Sequence, residues 1–234
     1  AMEKLYPWFH PAVRQSFCQH GVMEAKHFLR TDGSRIDYFD AGDSPDVLIY
    51  HHGTPGAGPI GTEVVAAAAA TGLRVVELVR PGYGQSARMP GRTVADMVTL
   101  ADELATHVGA DRYVTMGWSG GGPHALANAA LSARCVAAMT LASVAPYDSN
   151  GLDFLAGMGD DNIEEFGLAL QGEAAVRPWL EAARESMGEM TGADVIDSLA
   201  SLLPEADRAL LTGERAEETA AGFRWAIAHG IDGW

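Results

Sequence analysis

Gly117-Trp118-Ser119-Gly120-Gly121 sets a serine between glycines two residues away on either side. A serine hydroxyl is a weak nucleophile. It becomes useful when the backbone presents it alone at the tip of a sharp turn within reach of a base. Such a turn strains the serine backbone and crowds its neighbours, so the residues two before and two after must lack side chains. The flanks have the required character: the short apolar run RYVTM precedes the pentapeptide and the helix-like GPHALANAAL follows it. Ser119 is therefore the candidate nucleophile. The start of the following helix adds positive dipole character where an oxyanion would develop.

A second segment, His51-His52-Gly53-Thr54-Pro55-Gly56, directly follows the apolar run DVLIY. A glycine-rich loop there can turn a backbone N–H toward an oxyanion, paired with the N–H of Gly120. Thr54 is expected to supply it, since Pro55 has no N–H of its own. His52 and Trp118 are candidates for lining the substrate pocket. No acidic or cysteine ligand is spaced near His51 and His52, so they read as loop packing. Neither a metal nor a cofactor is expected. A third segment, Arg80-Pro81-Gly82-Tyr83-Gly84-Gln85-Ser86, reads as a turn closing a strand.

The elements that position these segments alternate. Ala25–Arg30 and Arg35–Asp40 flank Asp32-Gly33, a hairpin signal because the turn requires positive φ. Strands are expected over Asp46–Tyr50, Arg74–Val79, Arg112–Met116 and Val136–Leu141, with helices over Thr62–Ala70, Thr93–Val108 and Gly120–Leu131. Continuous apolar strands alternating with helices indicate a mostly parallel sheet covered on both faces, and in such sheets functional loops gather at the carboxyl ends of the strands. All three glycine-rich segments fall there. After Tyr147 the pattern turns helical: 160–170, 174–187, 193–203, 205–211 and 214–228. The expected organisation is an α/β core over residues 1–147, opening with an arm over residues 1–24, followed by an all-helical cap over 148–234.

Composition narrows the partners. The chain has 234 residues, 47% hydrophobic and 20% charged, which suits a folded globular protein. Its net charge of −15 disfavours nucleic acid and anionic membrane. No apolar stretch reaches the ~18 residues a membrane span needs, and a cytoplasmic location is expected. Cys18 and Cys135 allow one disulfide but nothing requires it; Cys135 is expected to be a small buried hydrophobe.

HHGTPGAG, RPGYGQSAR and GWSGGGPHALA, in that order and each after a strand, resemble the α/β-hydrolase superfamily over about residues 25–145. HGTPG is similar to the HGGPG loop of proline iminopeptidase-like hydrolases, with Thr54 in place of the second glycine. The resemblance implies Ser119 as nucleophile and Thr54 and Gly120 as oxyanion donors. It also implies a triad in the chain order serine, acid, histidine. His124 lies about 140° around the helix from Ser119 and reads as packing. His229 reads as an exposed helix-end residue, and Asp148 is an alternative acid. The acid and histidine are therefore expected beyond residue 234, together with C-terminal strands. Missing strands would leave an apolar edge and face, which a homodimer is one way of covering. The expected activity is cleavage of an ester, amide or related acyl bond in a small molecule. The alternatives are a non-catalytic ligand-binding or interaction protein, and a C–C bond hydrolase or perhydrolase.

Overall fold

The computed structural model describes residues 23–199, 203, 205–211 and 213–234. Most of the N-terminal arm, Cys18 with it, lies outside the described residues. The first described elements are β1 (Lys26–Leu29) and β2 (Arg35–Ala41), an antiparallel pair in the register Lys26↔Tyr38 to Leu29↔Arg35. Gly33 takes φ +82° in the turn, and Asp32 Oδ1 accepts the Ser34 N–H at 2.8 Å. That is the local reason Asp-Gly reverses the chain here.

β3 (Val47–His51), β4 (Arg74–Leu78), β5 (Tyr113–Trp118) and β6 (Cys135–Leu141) complete a six-stranded sheet in the order β1-β2-β4-β3-β5-β6. β3 pairs in parallel with β4 and β5, β5 in parallel with β6, and β4 runs antiparallel to β2. Between them come α1 (Thr62–Ala70), α2 (Asp96–His107) and α3 (Gly122–Leu131). Every residue of β3 is buried, because the sheet is covered on both faces at its centre. One face packs Val47, Ile49 and Leu78 against Met97, Leu100 and Leu104 of α2. These three recur at helical spacing, and burying each contributes about 1.5–3 kcal/mol. α2 begins at Asp96 and not Thr93. Asp96 Oδ2 accepts both the N–H and the hydroxyl of Thr93, which ties the turn before the helix to its first residue.

The described regular elements after β6 are helices: α4 (Asp160–Ala169), α5 (Glu173–Met187), α6 (Gly192–Leu199), α7 (Glu205–Leu210) and α8 (Gly213–Ile227). α8 does more than cover the strand ends. Ala226 and Ile227 join Leu48, Tyr50, Val75 and α1 in the core on the second face of the sheet, and Trp225 packs edge-on against Phe39 at 5.1 Å. Its other end meets α6 through Val195, Ala216 and Ala220, where small side chains let two helices approach closely. No described helix is long and apolar enough to cross a membrane.

β6 differs from the other parallel strands. Among the described residues it pairs with β5 alone, and Val136 and Met139 are 46% and 51% exposed. Cys135, at its start, is half-buried and not enclosed, since only one neighbouring strand covers it.

Candidate active site

β5 runs to Trp118, and the backbone then turns at Ser119, one of two non-glycine residues with positive φ (+51°) among those described. A 3-10 turn over Ser119–Gly121 leads into α3. A Cβ placed on Gly117 would lie 2.3 Å from the Gly121 carbonyl oxygen, and one on Gly121 would lie 2.1 Å from the His51 carbonyl oxygen. Both obstacles are backbone atoms in packed elements, so they cannot swing aside. The two glycines let strand, turn and helix close on each other with Ser119 at the apex. Gly121→Ala is accordingly expected to destabilise the fold by about 2 kcal/mol, read from the urea midpoint. Gly167→Ala, in α4 with nothing near its Cβ position, should instead be neutral or stabilising by up to about 1 kcal/mol. Equal effects at the two glycines would refute this account.

The loop after β3 lies directly against the turn. A Cβ on Gly53 would sit 3.6 Å from Ser119 Cβ and 3.0 Å from the Trp118 ring. One on Gly120 would meet Thr54 Oγ1 at 2.4 Å and the Thr54 nitrogen at 3.4 Å. Ser119, Gly120, Gly53 and Thr54 thus form one surface. The Thr54 N–H donates to no described residue, so it is free to meet an oxyanion. Trp118 is 40% exposed at the rim.

Arg80 was legible in the sequence only as part of a turn. It is 1% exposed, and its guanidinium donates to the His52 carbonyl, to the Gly53 carbonyl at 2.7 Å and to Thr54 Oγ1 at 2.8 Å. Tyr83, from the same segment, faces the guanidinium with its ring centroid 5.3 Å away. The available signal was an arginine ending a strand of apolar residues, a place where a charge must find partners.

The histidines have other tasks. His52 is buried, its ring edge-on to Tyr83 at 4.9 Å. The Arg80 backbone N–H donates to His52 Nε2 at 3.2 Å, so the ring proton sits on Nδ1, which faces the Gly53 carbonyl at 2.9 Å. Burial, with Arg80 adding to it, holds its pKa well below the usual histidine value. Both nitrogens are therefore engaged inside the loop, and neither is left for a substrate. His51 and His124 lie beneath the turn with ring centroids 6.0 Å apart, and His51 Nε2 meets the Asn128 amide at 2.7 Å. Burial pushes His124 down to about 3, with Arg80 and Arg92 adding to it. Asp148 and His229 are both exposed. Among the described residues none hydrogen-bonds the Ser119 hydroxyl.

Two surface cavities of about 270 and 350 Å³ lie elsewhere, the first including Gly84, Ser86 and His229, the second Arg92, Val176 and Trp234. Neither reaches Ser119, which sits beside the end of β6, where Trp118 pairs with Leu141. Of the aromatic residues in the helical part, Phe154 packs between Tyr147 and Phe166, whereas Trp179 packs on Trp234.

A family model described as the alpha/beta hydrolase fold matches residues 46–168, more than half of the chain. Three solved structures extend the likeness. An alpha/beta hydrolase fold protein from Nakamurella multipartita is 22% identical, with 87% of this chain and 71% of that one covered and a TM-score of 0.52. The thioesterase domain from the curacin biosynthetic pathway is 17% identical over 86% and 67%, with a TM-score of 0.55. An epoxide hydrolase from an endophytic Streptomyces is 20% identical over 88% and 72%, with a TM-score of 0.50. A comparison with curated proteins finds no match. Identities this low speak to the fold and not to the reaction. With the strand order, the turn at Ser119 and the family match in agreement, the chain belongs to the α/β hydrolase fold family.

Proposed function

We propose that the protein hydrolyses an ester, amide or related acyl bond of a small molecule through an acyl-Ser119 intermediate. The observation that carries this reading is the left-handed backbone of Ser119 with the free Thr54 N–H beside Gly120. In the reaction, Ser119 Oγ attacks the acyl carbon and gives its proton to a general base. The carbonyl oxygen becomes an oxyanion between the N–H groups of Thr54 and Gly120. Collapse releases the alcohol or amine, which takes that proton, and water then frees the acid by the same steps in reverse. An imidazole oriented by a carboxylate suits the base, and the described residues do not place one at Ser119. Trp118, 40% exposed beside Ser119, would favour an apolar acyl group.

A fluorophosphonate probe tests the reading, because it phosphonylates only an activated serine. Labelling of one site, mapped by peptide mass to Ser119, is the expected result. No labelling of the folded protein would support a non-catalytic binding protein instead. A panel of short and long p-nitrophenyl esters beside aminoacyl amides would then separate esterase from amidase chemistry.

A further inference from the structure

The guanidinium of Arg80 is buried and directs its donors to three acceptors, all in the loop that carries Thr54: the His52 carbonyl, the Gly53 carbonyl and Thr54 Oγ1. Among the described residues no carboxylate lies within salt-bridge distance of it, and Glu77, the acid whose charge would act on it, is itself pushed toward its protonated form by burial. A buried full charge that neutral carbonyls must solvate is expensive to keep. The sequence nevertheless keeps it beneath this loop.

The geometry of one peptide group shows what it achieves there. The Gly53 carbonyl and the Thr54 N–H belong to the same planar trans peptide, so they point in opposite directions. Fixing one fixes the other. Arg80 Nη2 holds that carbonyl at 2.7 Å from one side, and His52 Nδ1 holds it at 2.9 Å. With both lone pairs of the oxygen occupied, the peptide has no freedom to flip, and the N–H is turned away from Arg80 toward the face shared with Gly120 and Ser119. A positive charge on the carbonyl side also draws electron density through the amide, which makes the N–H a stronger donor.

We propose that Arg80 is a positioning residue for the oxyanion hole: it aims the Thr54 N–H and polarises it, without touching substrate. This rests on the reading of Ser119 above. His52 is the neutral second grip on the same carbonyl.

The test uses 15N-labelled full chain with Arg80→Gln, which keeps a donor but no charge, and Arg80→Lys, which keeps the charge but not the fork. Folding of each is checked by its melting curve. In folded Arg80→Gln the Thr54 amide proton should shift upfield and its exchange with solvent should change by about tenfold or more, while amides of β3 and α3 stay in place. Ester kcat, or the fluorophosphonate labelling rate, should fall about 100-fold with KM within about threefold, as when an oxyanion donor is misplaced. Arg80→Lys should fall between the two, and it decides the matter on the same readouts if Arg80→Gln does not fold. An unmoved Thr54 amide with unchanged kcat in a folded variant overturns the proposal. Should the wild-type serine neither turn over esters nor take the probe, the reading of Ser119 fails, while the Thr54 amide still decides the role of Arg80.

Discussion

Ser119→Ala is expected to lower ester turnover by about 10⁴-fold or more, with little change in fold. The hydroxyl is the only group in the pentapeptide that can form a covalent intermediate, and the remaining donors, Thr54 and Gly120, can stabilise an oxyanion but cannot create one. The backbone sharpens the prediction. At φ +51° a side chain at this position costs about 1 kcal/mol relative to glycine. Ser119→Gly should therefore be as inactive as Ser119→Ala yet about 1 kcal/mol more stable, read as the difference in urea midpoints. Activity and stability then move in opposite directions at one residue, the signature of strain kept for chemistry. Were Ser119→Ala to retain turnover, the nucleophile would have to be sought elsewhere. Were Ser119→Gly the less stable of the two, the turn would not be strained.

Much of this arrangement is local, and for that reason it could be read from sequence. The Asp32-Gly33 turn, the buried run of β3 and the helix repeat of α2 each carry their signal within about ten residues. The pentapeptide around Ser119 does so in part: the clash at Gly117 comes from Gly121 and Gly122, whereas the one at Gly121 comes from His51 and His52 at the end of β3, far away in the chain. What stayed hidden depends on segments far apart in the chain. Arg80 reaches back 26 to 28 residues to the loop it holds, and no periodicity reports a guanidinium turned inward. His52 looked like a pocket residue because a histidine beside a glycine-rich loop could face either way; only the neighbouring Arg80 N–H and Tyr83 ring show that it faces in. The helical part was legible as helices but not as partners. Trp225 and Ile227 of α8 pack into the sheet core, a contact separated by more than 100 residues from the strands it covers.

Glu77 shows how such a hidden contact can govern stability. It sits on β4 between Phe39 and Tyr50, 2% exposed, with Oε1 accepting the Gly58 N–H at 3.3 Å. Burial pushes its pKa up to about 8 from an ordinary 4.5, against the smaller opposing pulls of that hydrogen bond and of Arg80. Below pH 4.5 both folded and unfolded chains hold the proton, and the group contributes no pH dependence. Between pH 4.5 and 8 the unfolded chain has lost the proton while the folded one retains it, so stability falls as pH rises, by about 1.4 kcal/mol per unit. At pH 7 this amounts to about 3 kcal/mol, and above pH 8 the loss levels off. Glu77→Gln keeps the shape and an oxygen for the Gly58 N–H but cannot ionise. It should match the wild type at pH 4.5 and exceed it by about 3 kcal/mol at pH 7, on the order of 10 °C in Tm. Urea midpoints measured for both proteins from pH 4.5 to 8 check this, and curves that stay parallel would sink it.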